Sequence, residues 1–176
     1  MITIEPPQSL SGHGISSITR PAVARFLTRA RKAVGLSGEV HVLLADDATL
    51  KRLNKTFRGK NKATDVLSFP AEPSTAFFNE PDAPEFAGDL AISLETAARY
   101  AARYGHTLAD EVRILLLHGV LHLAGYDHEI DSGEMAAREA ELRQKLALPT
   151  GLIARAAKPP VPVTASKPSA LRRARA

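Results

Sequence analysis

Three histidines in one apolar segment constrain this chain more than any other feature. Residues 118–128 read His-Gly-Val-Leu-His-Leu-Ala-Gly-Tyr-Asp-His. Residues four apart lie on one face of an α-helix, so His118 and His122 can hold one ion between them. Gly125 stands where this helix should end, because glycine adopts the left-handed conformation of a helix end at little cost. The turn can then bring His128 back to complete a three-histidine metal site.

The number of ligands favours a catalytic metal rather than a structural one. Structural zinc sites use four protein ligands, whereas a catalytic zinc keeps its fourth position open. The chain has no cysteine, so a transition metal would depend on histidine and carboxylate ligands. We therefore predict one zinc ion per chain on His118, His122 and His128. A lone histidine in an apolar strand is more often a core residue, and we expect that of His41.

The histidine spacing also leaves a protease open as an alternative. Metzincin proteases carry the pattern H-E-x-x-H-x-x-G-x-x-H, in which the glutamate acts as general base. The second position of the pattern is Gly119 in this chain. The metal scaffold of a protease is therefore present without its base.

The charge distribution divides the chain into a body and a basic tail. Residues 152–176 hold six basic residues, no acid and few bulky apolar side chains. The whole chain has 23 basic and 19 acidic residues, which leaves a formal charge of −2 on residues 1–151. We predict one folded domain at 1–151 and a disordered tail at 152–176. The basic pI alone does not argue that the body binds nucleic acid.

Nothing in the sequence indicates export or a membrane. Residues 1–7 lack the basic and apolar regions of a secretory signal, and no apolar run is long enough to span a bilayer. The absence of cysteine is compatible with a reducing compartment. We expect a cytoplasmic protein with no membrane partner.

The hydrophobic pattern predicts strands and helices that alternate along the chain. We expect strands near residues 2–5, 39–45, 64–70 and 86–93, and helices capped by Thr19, by Asp46 or Asp47, by Ser93, by Thr107, and by Asp131 or Ser132. The helix after Thr107 is apolar nearly all round, so it should be central and buried. Gly88-Asp89 indicates a bulge or a close backbone approach. Four prolines predict an exposed loop at 70–85.

The body has one dense basic run, and we place most of it in a loop after a short helix through Leu50 and Leu53. Its members fall within twelve residues and have no acid among them: Lys51, Arg52, Lys55, Arg58, Lys60 and Lys62. Such a run is usually solubilising surface. This one leads into a strand whose first residues are polar, and contacts from Lys and Arg to phosphate are the sequence-independent part of nucleic-acid binding.

Three segments together resemble the YbeY family of bacterial endoribonucleases. They are Asn-x-x-Phe-Arg-Gly-Lys-Asn-Lys-Ala-Thr-Asp-Val-Leu-Ser-Phe-Pro at 54–70, the Gly-Asp strand at 88–89 and the histidine motif at 118–128. The resemblance covers roughly residues 1–147 in order. It implies a zincin-like α+β fold, with a small mixed β-sheet, about five helices and the metal site on a buried central helix.

The resemblance also implies a substrate and a role. The protein would be a single-strand-specific, zinc-dependent endoribonuclease that acts in 16S rRNA 3′-end maturation and ribosome quality control. The partners would be the 16S rRNA precursor and the small ribosomal subunit, with ribosomal proteins and a ribosome-assembly GTPase as candidates. The family's functional arginine falls on Arg58. We predict Arg58 and His118 as catalytic residues and Arg58, Lys60 and Lys62 as RNA contacts.

The nucleophile and the proton acceptor stay open from the sequence. The nucleophile is either a water at the metal or the RNA 2′-hydroxyl. Asp89 and Asp127 are candidate proton acceptors, but either can instead orient a ligand histidine, which we favour for Asp127. A non-enzymatic RNA-binding assembly factor, whose metal only shapes the fold, is the remaining alternative.

Overall fold

The computed structural model describes residues 1–12, 14–72 and 85–149, and these residues form a mixed α+β fold. The elements are β1 (Ile2–Ile4), α1 (Arg20–Val34), β2 (Glu39–Ala45), α2 (Asp47–Arg58), β3 (Val66–Pro70), β4 (Phe86–Ser93), α3 (Leu94–Tyr104), α4 (Leu108–Leu123) and α5 (Glu134–Leu146). The predicted fold class is confirmed. The expected tail and most of the proline-rich loop lie outside the described residues. Among those described, no helix combines the length and the hydrophobicity needed to cross a membrane.

The four strands form one sheet in the order β1-β2-β4-β3. β1 and β2 pair in parallel, and so do β2 and β4. β3 pairs with β4 in the antiparallel direction. Because β3 is last in this order, one of its edges has no neighbouring strand in the described part of the sheet.

The two faces of the sheet are covered by different helices. Strand side chains alternate between the faces, so Val42 and Leu90 join the main core with α1, α4 and α5, whereas Leu67 and Ala91 pack with Leu50 of α2. In α4, 12 of the 16 residues are buried, because the sheet, α1, α3 and α5 all pack against it. The prediction of a central buried helix is confirmed.

Two glycines allow α4 to lie close to the sheet. Gly88 has φ +140°, and a Cβ there would lie 2.3 Å from the Phe69 carbonyl oxygen and 2.9 Å from Leu123 Cδ2. A Cβ on Gly119 would lie 2.7 Å from Leu90 Cδ2. The predicted close backbone approach at Gly88 is therefore confirmed.

Helix α2 is longer than predicted, which moves the basic run out of a loop. Asp46 accepts a hydrogen bond from the Thr49 backbone N–H at 2.8 Å, and the helix continues to Arg58. Lysine and arginine are good helix formers, and Gly59, at φ +68°, is the first residue that ends the helix in the left-handed conformation. Only Lys60 and Lys62 of the run lie in the loop that follows.

The expectation that His41 is a core residue is wrong. Its side chain is 36% exposed, and its Nδ1 lies 3.5 Å from Asp89 Oδ1. The alternation of β2 turns His41 away from the face that carries Val40 and Val42. Helix α2 covers the other face only farther along the strand, near Leu43.

The remaining helix starts agree with the sequence except at α5. Thr19, Ser93 and Thr107 each accept a backbone N–H of the first helical turn. The residue that precedes α5 is Gly133, in the left-handed conformation and without a side-chain cap. Asp131 nevertheless accepts hydrogen bonds from Gly133 N at 2.9 Å and Met135 N at 2.8 Å. It therefore caps backbone N–H groups at the start of α5, although it lies two residues before Gly133.

Candidate metal centre

The three predicted histidines converge at the end of α4. His118 Nε2 and His122 Nε2 are 3.2 Å apart, and the His128 ring centroid lies 5.2 Å from each of the other two. One nitrogen from each ring lies within 4.8 Å of the others. Two nitrogens bound to one tetrahedral zinc at about 2.0–2.1 Å lie about 3.3 Å apart. The His118–His122 spacing and the all-nitrogen donor set therefore fit a zinc ion.

The turn after α4 brings His128 to the other two rings. Gly125, at φ +89°, donates its N–H to the His122 carbonyl at 3.0 Å, and Tyr126 N donates to the Leu121 carbonyl at 3.1 Å. These two bonds form a Schellman motif, which ends a helix and reverses the chain. Asp127 then accepts the Glu129 N–H at 3.0 Å and fixes the loop that carries His128.

The histidines become more exposed from the helix outward. His118 is buried, His122 is half-buried and His128 is exposed. Burial, together with the neighbouring His118 and His128 rings, lowers the pKa of His122 to about 4. The His122 ring is therefore neutral at pH 7, as a metal ligand must be. The exposed side at His128 is where a substrate can reach the site.

Sequence reasoning missed the carboxylate that contacts a ligand histidine. Glu139 is 2% exposed, and its Oε2 lies 3.1 Å from His118 Nδ1. A carboxylate in this position fixes the ring so that Nδ1 carries the proton and Nε2 faces the metal. The sequence favours Asp127 for this role, but Asp127 Oδ1 accepts the Glu129 backbone N–H instead. The available signal was an acid on the apolar face of α5, four residues after Met135.

The histidines open into a cleft of about 1100 Å³ that follows β3. Its walls come from the end of α2, from β3, from α3 and from the loop after α4. Because β3 is the edge strand, nothing in the described part of the sheet covers this side.

The structure separates the three predicted RNA contacts. Arg58 lines the cleft, and its Nη2 lies 3.7 Å from Oε1 of Glu129, the residue after His128. These side chains are 45% and 62% exposed, and an exposed pair of this kind is worth roughly 0–1 kcal/mol. A phosphate can therefore replace Glu129. Lys60 and Lys62 are exposed on the loop between α2 and β3 and are absent from the cleft lining.

Only one of the two candidate proton acceptors lies at the site. Asp89 is on the α2 face of β4, beside His41, because its neighbours Gly88 and Leu90 face α4. That position removes Asp89 as a proton acceptor for the metal site. Asp127 lines the cleft together with His128.

The position that holds the general base in metzincins is closed in this fold. Gly119 faces β4, and even a Cβ at this position would collide with Leu90. A glutamate side chain at this position would require Leu90 or the helix to shift. The described structure therefore argues against the protease alternative.

Comparisons with known proteins connect the site to a family. The family model described as Endoribonuclease YbeY matches residues 8–147. Endoribonuclease YbeY of Koribacter versatilis is 52% identical over 145 residues, which cover 82% of this chain and 89% of that protein. Endoribonuclease YbeY of Solibacter usitatus is 49% identical over 140 residues, which cover 80% and 88%. A solution structure from Thermotoga maritima, 23% identical, covers 97% of this chain and 100% of its own, with a TM-score of 0.52; this likeness concerns the fold alone.

Proposed function

The chain belongs to the YbeY endoribonuclease family, and on that premise we propose that it is a zinc-dependent, single-strand-specific endoribonuclease of 16S rRNA 3′-end maturation and ribosome quality control. The observation that carries the proposal is the convergence of three histidines at the floor of a cleft that Arg58 also lines. This arrangement provides three nitrogen ligands for a metal, an exposed side through which a substrate can enter, and a cation, Arg58, that can bind a phosphate.

The histidines and Glu139 prepare the metal position. His118, His122 and His128 would hold the zinc, which when bound acts as a Lewis acid towards a phosphate oxygen or a water. Glu139 keeps His118 Nε2 directed at the other rings. The exposed side at His128 admits the substrate, so the RNA phosphate would approach between this histidine and Arg58.

Arg58 binds the phosphate and stabilises the charge that builds up on it. A planar guanidinium can donate to two phosphate oxygens at once, which a lysine ammonium cannot reproduce. Donors positioned where charge develops lower the barrier of the chemical step. Of the two acids considered from the sequence, Asp127 remains the candidate proton acceptor. Lys60 and Lys62, outside the cleft lining, would contact phosphates farther along the strand.

Family membership supports the wider assignment. The proposed partners are the 16S rRNA precursor and the small ribosomal subunit, with ribosomal proteins and a ribosome-assembly GTPase as candidates, and the proposed location is the cytoplasm. Residues 1–151 would form the endoribonuclease domain. Residues 152–176 would add an electrostatic attraction to RNA.

The test is cleavage of a labelled single-stranded fragment of precursor 16S rRNA under single-turnover conditions, with elemental analysis of the same samples. We expect about one zinc per chain, loss of cleavage with chelator, and loss of both metal and cleavage in His122→Ala and His128→Ala. His41→Ala is the matched control and should keep both, because strand alternation places His41 on the α2 face of the sheet with Leu43, opposite the face of Val42.

The alternatives give different results in the same experiment. Chelator-resistant cleavage, or full metal content in both histidine variants, would contradict the proposal. Cleavage of peptides but not RNA would support the protease. Unfolding on metal removal without any RNA cleavage would support an assembly factor with a structural metal.

A further inference from the structure

The cleft holds most of the aromatic rings in the described structure. The chain has 6 Phe, 3 Tyr and no Trp. All three tyrosines line the cleft, and so do Phe57 and Phe69. The other Phe residues in the described part are Phe26, which is buried in the core, and Phe86, which is absent from the cleft lining. The described part of the chain therefore gathers most of its Phe and Tyr rings in the cleft that the three histidines also line.

Phe57 is the most accessible of these rings. It is 65% exposed, and its ring meets that of Phe69 edge to face, with the centroids 5.0 Å apart. Helix α2 is anchored by Leu50 and Asn54, which are buried, so the fold does not need Phe57 as a core contact. Among the described residues, five large apolar side chains are exposed, and three of them line this cleft: Phe57, Tyr104 and Ile130. Exposed apolar surface gathered at one cleft indicates a binding site.

The charges beside this apolar surface indicate its occupant. Arg58 follows Phe57 in the last turn of α2 and is the only Lys or Arg among the described residues that line the cleft, which four carboxylates also line: Asp65, Glu72, Asp127 and Glu129. Lys55 and Lys60 lie within three residues of Phe57 along the chain and outside the lining. A ligand that presents both an anion and a flat apolar face fits this combination. A single-stranded nucleic acid has both in every nucleotide, and its bases stack on protein aromatic rings without regard to sequence.

We propose that Phe57, backed by Phe69, is a stacking platform for one unpaired nucleobase next to the phosphate that Arg58 binds. This inference rests on the proposed function and adds a physical source of its strand selectivity. In a duplex both faces of each base are covered by neighbouring bases, so only an unpaired base can lie on the ring. Base pairing at the cleavage site would therefore remove this contact.

The test measures binding rather than turnover. The probe is a fluorescent single-stranded 2′-O-methyl RNA that the RNA 2′-hydroxyl route cannot cleave, titrated with the full-length protein and followed by anisotropy. We expect Phe57→Ala and Phe57→Leu to bind about tenfold more weakly, because both lose the aromatic face. Phe57→Trp should bind at least as well as the unchanged protein. Phe86→Ala, a control that removes an exposed phenylalanine outside the cleft lining, should bind normally.

A second set of probes identifies the stacked base. Abasic nucleotides are placed at one position after another in the same oligonucleotide. At one position, the abasic nucleotide should weaken binding to the unchanged protein about tenfold but should hardly affect binding to Phe57→Ala. The reason is that the missing base and the missing ring remove the same contact. Normal binding by Phe57→Leu, or equal losses at every abasic position, would overturn the platform.

The outcomes also separate this inference from the proposed function. If the protein cleaves single-stranded RNA while Phe57→Ala binds and cleaves normally, only the platform is wrong. If the unchanged protein neither binds nor cleaves single-stranded RNA, both are wrong. Thermal melting of each variant tests whether the substitution changes the stability of the fold. Because Phe57 is 65% exposed, we expect the Phe57 variants to have unchanged melting temperatures.

Discussion

The two nitrogens of the His118 ring face different partners. Nε2 lies 3.2 Å from His122 Nε2, and Nδ1 lies 3.1 Å from the buried Glu139 carboxylate. The carboxylate can accept a hydrogen bond from Nδ1–H, which leaves the Nε2 lone pair directed at the other two histidines. Glu139 therefore belongs to the site, although it lies 21 residues from His118 along the chain.

The first prediction concerns the charge of Glu139. Glu139→Gln keeps a hydrogen-bond acceptor but removes the negative charge, so we expect zinc affinity to fall by about 10- to 100-fold. Competition with a chromophoric chelator measures this affinity. Glu141→Gln is the matched control on the same helix, because Glu141 is exposed and pairs with Arg138 at 2.6 Å. Equal zinc affinity in the two variants would show that the charge of Glu139 does not contribute to metal binding.

The second prediction concerns Arg58. We expect Arg58→Ala to lose about 100-fold or more in single-turnover cleavage while zinc content is unchanged, because the guanidinium contacts the phosphate and not the metal. Arg58→Lys should also be impaired, since lysine cannot make the bidentate contact. Arg52→Ala is the control: this arginine lies on the same helix and bonds to Thr49. Unchanged cleavage by Arg58→Ala would show that another residue binds the reacting phosphate.

Helix α4 and strand β4 are packed more closely than large side chains would permit. Gly119 on the helix faces Leu90 on the strand, and Gly88 on the strand faces Leu123 on the helix. This close packing positions the helix end, and with it His118 and His122, beside edge strand β3. The same glycine at 119 excludes the glutamate that a metzincin needs.

The third prediction tests this packing. A Cβ on Gly119 would lie 2.7 Å from Leu90 Cδ2, and overpacking a core costs about 1–3 kcal/mol. Replacing glycine by alanine inside a helix stabilises the helix by about 1 kcal/mol, because alanine has the higher helix propensity. We expect Gly119→Ala to lower the free energy of unfolding by about 1 kcal/mol as the balance of these terms. Urea denaturation measures it.

The control for this prediction measures the same substitution in a protein that also carries Leu90→Val. The shorter side chain makes room for the new Cβ, so Gly119→Ala should cost less in the Leu90→Val protein than in the unchanged one, and the difference is the coupling between the two sites. A gain in stability from Gly119→Ala alone would mean that helix and strand are not in tight contact.

The net positive charge of the whole chain comes from residues 152–176. Residues 152–176 hold six basic residues and no acid, whereas residues 1–151 carry a formal charge of −2. The tail lies beyond the described residues, so its role remains a prediction from composition. A segment with so few bulky apolar residues has little surface with which to stabilise a core.

The fourth prediction is that deletion of residues 152–176 leaves the melting temperature and zinc content unchanged and weakens RNA binding several-fold at low salt. The loss should shrink as salt is added, because contacts between basic residues and phosphate release counterions. A full-length control with the six basic residues replaced by glutamine should show the same loss. A fall in melting temperature of more than about 4 °C would correspond to roughly 1 kcal/mol of packing on the body.

The sequence by itself determined the features that depend on neighbours along the chain. Helix starts at Thr19, Ser93 and Thr107 follow from side chains that cap the next turn. The convergence of the three histidines could be predicted because they fall within eleven residues, joined by helical spacing and a glycine turn. The hydrophobic pattern predicted the strands and helices one by one, whereas the α+β class was implied by the resemblance to the YbeY family.

Only the tertiary structure decided the features that depend on which surfaces meet. The pairing of His118 with Glu139 requires α5 to pack on α4, and the exposure of His41 depends on how far α2 covers the sheet. The register of β4 with β2 placed Asp89 away from the three histidines. The length of α2 put Arg58 in the cleft but left Lys60 and Lys62 outside the residues that line it. Local pattern fixes which face of an element is apolar, but packing between distant elements selects the side chains that reach the site.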